Sequence, residues 1–140
     1  MPKRKTLAQE AEAVAVLLQK LVRLKAANEN GFAHCVTCGV FKHWKELQGG
    51  HFISRVHKST KLLEENVHPQ CQGCNAFRMK DTLFVLVYRR YMVEMYGEDE
   101  VTRMEQLARQ TKKFTRTELA EIKEDFKAQI KKHEDRLKGY

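Results

Sequence analysis

The sequence predicts an α+β fold, a small core of short strands organised by four cysteines and flanked by N- and C-terminal helices. Three observations lead there. Apolar residues recur at helical spacing before residue 28 and after residue 74. Between Phe32 and Phe52 that period disappears, and short β-friendly pieces are punctuated by Gly39, Gly49 and Gly50. The cysteines form two Cys-x-x-Cys pairs that enclose this irregular middle. A chain of 140 residues suits one domain. We divide it into an N-terminal helix over 6–28, a cysteine-bound core over 32–96 and C-terminal helices over 98–138, all within a single domain 1–140.

The elements follow in order. Leu7, Ala11, Val14, Leu17, Leu18, Leu21 and Leu24 make one helical stripe, with Thr6 as a suitable N-cap and Asn28-Glu29-Asn30-Gly31 as a stop. Gly39–Trp44 and Leu47–Ile53 are predicted to pair as a small hairpin, and the polar run Ser54–Asn66 reads as a loop. Helical periodicity resumes after Cys74, with Phe84, Val87, Tyr88 and Tyr91 on one face, and ends at Gly97. A short helix near Glu98–Arg109 precedes a longer one around Thr115–Leu137, whose Leu119, Ile122, Phe126 and Ile130 share a face. Thr115-x-x-Glu118 reads as a capping box. Trp44 and the aromatic face of Phe84, Tyr88 and Tyr91 are expected in the core.

Lys and Arg total 26 against 18 Asp and Glu, a net charge of +8 that favours a polyanionic partner, nucleic acid first. Residues 31–80 carry the largest share, seven Lys and Arg against three Glu, together with every cysteine and five of the six histidines. A hydrophobic content of 42% with only 7 Gly and 2 Pro excludes a mostly disordered chain. The longest apolar runs, Ala13–Leu18 and Leu83–Tyr88, fall far short of the ~20 residues of a membrane span. The basic start Met-Pro-Lys-Arg-Lys leads into Thr6-Leu7-Ala8-Gln9-Glu10 and not into the apolar run of a secretory signal, so the expected location is the cytoplasm.

Cys35-Val-Thr-Cys38 and Cys71-Gln-Gly-Cys74 stand 32 residues apart. A two-residue spacing lets both thiolates of a knuckle face one centre, and Gly39 suits the tight turn that follows the first. A reduced compartment argues against disulfides, and adjacent pairs are the metal pattern. The expectation is one structural zinc on Cys35, Cys38, Cys71 and Cys74. A closed four-thiolate site leaves zinc no open position, so any hydrolytic chemistry has to come from other residues.

Between the knuckles lie Gly49-Gly50-His51-Phe52-Ile53-Ser54-Arg55 and Asn66-Val67-His68, and Asn75 directly follows Cys74. This order resembles the zinc-stabilised HNH endonucleases, whose active site is a ββα-metal core. More narrowly, Gly50-His51-Phe52-x-x-Arg55 and Asn66-Val67-His68-x-Gln70-Cys71-x-x-Cys74-Asn75 resemble the phage lambda NinG (Rap) recombination proteins. The resemblance covers Cys35 to Asn75. It implies a metal-dependent endonuclease acting on branched DNA such as Holliday junctions, carried by a phage or prophage in a bacterial host.

The same resemblance assigns the roles. His51 would be the general base, Asn66 would fix the hairpin and orient the histidine, and Asn75 would ligate a catalytic Mg²⁺ or Mn²⁺. Many HNH enzymes carry an aspartate where this chain has Gly50, so His68, or substrate phosphate and water, is expected to complete the shell. Arg55 suits a grip on the scissile phosphate, and Lys58, Lys61, Arg78 and Lys80 add a positive field for DNA. His34, His43 and His57 read as surface or structural residues. Symmetric cutting of a four-way junction favours a homodimer, with the leucine-rich N-terminal helix as its expected interface. Two other readings keep the same residues: an HNH nuclease of ordinary duplex, and a non-catalytic zinc-knuckle DNA-binding module, for which Gly50 is the best support.

Overall fold

The computed structural model describes residues 3–138; the outermost two residues at each end of the predicted 1–140 domain lie outside the described residues. Helix α1 (Leu7–Ala26) opens on a capping box, in which Thr6 Oγ1 accepts from the Gln9 N–H at 3.1 Å and Gln9 Oε1 accepts from the Thr6 N–H at 2.9 Å. Gly31, at φ +85°, turns the chain into β1 (Phe32–His34). Strand β2 (Phe41–His43) pairs antiparallel with β1, and the first cysteine knuckle forms the bend between them. A 3-10 turn at Trp44–Glu46 leads to β3 (Gln48–His51), which pairs antiparallel with β4 (Val67–Gln70).

Helix α2 (Lys58–Lys61) and a 3-10 turn at Glu64–Asn66 fill the connection between β3 and β4. Beyond β4 come α3 (Gln72–Ala76), a turn at Arg78–Lys80, α4 (Thr82–Tyr96), α5 (Glu98–Leu107) and α6 (Arg116–Arg136). Asp81 caps α4 by accepting from the Leu83 N–H at 2.9 Å. Thr115 and Glu118 form the predicted capping box of α6. The mixture of helices and small antiparallel sheets is α+β, as predicted.

The predicted hairpin is corrected. Gly39–Trp44 and Leu47–Ile53 do not pair with each other: the first supplies β2, bound to β1, and the second supplies β3, bound to β4. The knuckle at Cys35–Cys38 folds β2 back on β1, and the β3–β4 pairing delivers Cys71 to it. The Val36 N–H donates to the Pro69 carbonyl at 3.0 Å and ties the first knuckle to β4. The stretch read as a loop, Ser54–Asn66, contains the two short helical turns.

The apolar stripe of α1 is spent inside the chain. Val14, Leu18, Leu21 and Leu24 are buried with Leu119, Phe126 and Ile130 of α6, and each large side chain so covered contributes about 2 kcal/mol. The sequence assigns this stripe to a dimer contact; packing against α6 covers it instead. On its other flank α1 rests on β3, where a Cβ at Gly49 would stand 2.8 Å from the Gln19 Cα. Only glycine permits that approach. A small cluster of Ala33, Cys35, Leu47, Cys71 and Cys74 forms the knuckle core. Tyr88 and Met92 of α4 pack with Val101 and Met104 of α5, while Tyr91 and Trp44 are partly buried beside their clusters. No helix among the described residues is long and apolar enough to cross a membrane.

Candidate metal centre and adjoining cleft

The two knuckles bring all four cysteine sulfurs within 4.8 Å of one another, with no disulfide among them. Cys38 Sγ and Cys71 Sγ are 3.7 Å apart, close to the edge of about 3.8 Å of a tetrahedron with ~2.3 Å Zn–S bonds. Gly39, at φ +81°, makes the tight turn after Cys38. Backbone donors already face the sulfurs: the Cys38 N–H lies 3.5 Å from Cys35 Sγ and the Cys74 N–H 3.4 Å from Cys71 Sγ. Burial opposes ionisation of Cys35, yet hydrogen bonds from Thr37 and backbone N–H groups outweigh it and lower its pKa, while burial and the neighbouring sulfurs raise that of Cys38. Soft thiolates in this arrangement suit a structural metal such as zinc.

Beside this centre, α1, β3, the chain after His51 and α3 enclose an open cleft of about 680 Å³. His51, Asn75, Arg23, Arg55 and Lys80 line it, and no carboxylate does. His51, the last residue of β3, places Nε2 2.9 Å from the Lys61 carbonyl. A carbonyl only accepts, so Nε2 carries the proton and Nδ1 keeps its lone pair. Burial lowers the His51 pKa from the ordinary value; the Lys61 carbonyl opposes the shift, and the Arg55 and Lys61 cations add to it. The neutral ring therefore prevails at pH 7. Asn75 donates Nδ2 to Gln48 Oε1 at 2.8 Å, and its own Oδ1 accepts from no described residue. The cleft is thus lined by a neutral imidazole, an amide and three cationic side chains.

The remaining predicted residues fall in different places. Asn66 is fully buried outside the cleft: Oδ1 accepts from the Ile53 N–H at 2.7 Å, and Nδ2 donates to the carbonyls of Ile53 at 3.0 Å and Thr60 at 3.1 Å. It brackets the chain that leaves His51 against α2. Arg55 Nη2 and Lys61 Nζ share the carboxylate of Glu12, at 2.6 and 2.9 Å. Lys58 is exposed on α2 and Lys80 is exposed in the cleft.

One assignment is corrected. His68 does not accompany Asn75, because it is buried in a separate cavity against α4 and its ring nitrogens face tyrosines. Tyr88 donates its one hydroxyl proton to the Gly50 carbonyl at 2.7 Å, so it accepts from His68 Nδ1 at 3.3 Å, leaving Nε2 to accept from Tyr96 at 2.8 Å. Arg78, exposed as a contributor to the positive field would be, also faces the metal centre: Nη1 lies 3.3 Å from Cys74 Sγ and 3.8 Å from Cys71 Sγ. Sequence reasoning also missed Arg23, Gln19 and Glu12, which reach this region from α1. The one available sign was an arginine interrupting the apolar run Leu21-Val22-Arg23-Leu24.

Fold and site together define a four-thiolate knuckle protein with a cationic cleft built against its sheet. The chain belongs to the bacteriophage lambda NinG protein family, whose model matches residues 2–136. The match carries the predicted resemblance beyond Cys35–Asn75 into the flanking helices and makes this a phage recombination-related protein. No curated protein and no solved structure matches the chain.

Proposed function

We propose that the protein is a metal-dependent, structure-specific DNA endonuclease that hydrolyses phosphodiesters in branched recombination intermediates such as Holliday junctions. The observation that carries this reading is His51, whose Nε2 is tied to the Lys61 carbonyl so that Nδ1 stays unprotonated, and which lines a cleft with three cationic side chains and, among the described residues, no carboxylate. Such a cleft attracts an anionic backbone and holds a base beside it. In this reading Nδ1 takes a proton from water, the water oxygen attacks phosphorus, and the bond to the 3′-oxygen breaks. Asn66 fixes the chain around the base, and Arg55 grips the phosphate after leaving Glu12.

Asn75 Oδ1, an uncharged hard oxygen without a described partner, fits Mg²⁺ or Mn²⁺. A cation held there would neutralise charge gathering on the phosphate and the departing oxygen. With no cleft carboxylate, water and substrate phosphate would fill the other positions. The four-cysteine site keeps its ion for structure. Two clefts related by a two-fold axis would serve a symmetric junction, so a homodimer in the cytoplasm of a bacterial host belongs to the same reading.

The test is cleavage of a synthetic four-way junction against linear duplex of matched sequence, with Mg²⁺ or Mn²⁺. The junction should be cut faster, and His51→Ala should lose at least about 100-fold in rate. Equal rates on both substrates would leave a general HNH nuclease of duplex DNA. Binding without cutting would leave a zinc-knuckle binding module.

A further inference from the structure

We propose that Arg23 is a phosphate-contacting residue of the cleft, which makes the N-terminal helix part of the DNA-binding surface. The inference rests on the nuclease reading above and adds a contact that the HNH-like motif does not contain.

Arg23 sits in the last turn of α1 and is partly buried where the helix meets the Trp44–Leu47 segment. Its Nε donates to the Gln19 carbonyl at 3.1 Å, and Nη1 points to the carbonyls of Trp44 at 3.3 Å and Leu47 at 3.4 Å. The guanidinium carbon lies 5.4 Å from the centre of the Trp44 ring. Nη2 has no partner among the described residues, and no carboxylate pairs with Arg23. Burial accordingly lowers its pKa from the ordinary value, a sign that the charge is partly desolvated with no anion to offset it.

A desolvated guanidinium without a counter-ion is a costly arrangement that an incoming anion relieves. The three carbonyls hold the plane of the group, so little side-chain freedom is lost when a phosphate docks on the free nitrogen. Arg55 differs, because it must first release Glu12. Arg23 is therefore the cleft arginine already prepared for a phosphate. A purely structural staple between α1 and the Trp44–Leu47 turn would need the hydrogen bonds and not the charge, and that difference can be measured.

The experiment uses the full chain carrying His51→Ala, so that DNA is bound but not cut, and follows binding to the four-way junction between 50 and 200 mM salt. Arg23→Gln should weaken binding about tenfold, and the slope of log affinity against log salt should become shallower by about 1. Arg23→Lys should keep the slope and lose part of the affinity. Thermal unfolding and zinc content report whether each variant is folded. A folded Arg23→Gln protein with the parent slope would overturn the proposal and leave Arg23 as a staple.

If Arg23→Gln fails to fold, Trp44, the only tryptophan, supplies a second readout. Its emission should shift when the junction saturates the His51→Ala protein, and an unchanged spectrum would overturn the proposal. A parent protein that neither binds nor cuts any DNA would instead defeat the nuclease reading itself.

Discussion

The Gln70 side chain lies against the Gly50 backbone: a Cβ built on Gly50 would stand 2.6 Å from the Gln70 Cδ. Gln70 is fully buried, donates Nε2 to Thr37 Oγ1 at 3.1 Å, and leaves Oε1 without a described partner. Where many HNH enzymes carry an aspartate, a side chain here would have to displace the buried Gln70 amide. Gly50→Asp should therefore cost about 3 kcal/mol of stability through overpacking and a buried charge, without strengthening Mg²⁺ or Mn²⁺ dependence. Urea unfolding and a metal titration of cleavage check this; a stable variant with tighter metal dependence would contradict it.

Cleavage should depend on pH through His51. In the proposed reaction the neutral ring is the active form, so the rate should rise with pH and level off above the His51 pKa. Burial holds that pKa below the ordinary ~6.5, which places the acid limb below pH 6.5. The profile of kcat/KM from pH 5 to 8 tests this, and an acid limb centred above pH 7 would count against the assignment.

Stability should carry a separate signature from His68, which burial pushes down to about 4. Between pH 4 and the ordinary ~6.5 the unfolded chain binds the proton that the folded chain refuses, so stability falls as pH drops through this window and is flat above it. The His68 contribution should make the parent about 2 kcal/mol less stable at pH 5 than at pH 7.5. His68→Gln should remove that part of the slope, as read from urea midpoints at the two pH values.

Metal removal should loosen one part of the molecule first. The knuckle core is small and distinct from the α1–α6 cluster. A chelator, or Cys71→Ser, should lower the unfolding midpoint by roughly 10 °C while most helical signal remains at room temperature. Arg78→Gln should release zinc about tenfold more readily, because its guanidinium is lost from Cys74 and Cys71. Zinc release to a chromophoric chelator measures both.

Under the proposed function, Glu12 would compete with DNA for Arg55 and Lys61. Arg55 and Glu12 are about half exposed, at 47% and 49%, so the pair is weak and the exchange is easy. Glu12→Gln should raise junction affinity roughly threefold, mostly at low salt. Unchanged affinity at low salt would show that Arg55 and Lys61 do not meet the phosphates.

What was legible in the sequence is what is local. Thr6 and Thr115 announce the helices they cap, because a cap needs only the residue three positions on. The cysteine spacing announces the metal centre, because a knuckle is a local turn. Strand pairing is not local. Gly39–Trp44 and Leu47–Ile53 look like neighbours, but each is matched to a strand beyond its own turn, and only burial in three dimensions selects the partner. His68 stands within the motif in sequence, yet β4 turns its ring toward Tyr88 and Tyr96 while His51 lines the cleft. Arg23 carries no motif, since its importance comes from α1 crossing β3 at Gly49.

That crossing determines what can be cut away. With Gln19 lying on Gly49 and the leucines of α1 sealed by α6, the cysteine-bearing stretch 32–96 is not a portable cassette. Excised, it would bare the underside of β3 and lose one wall of its own groove. Truncation from either end should therefore open the cleft before it disturbs the four cysteines.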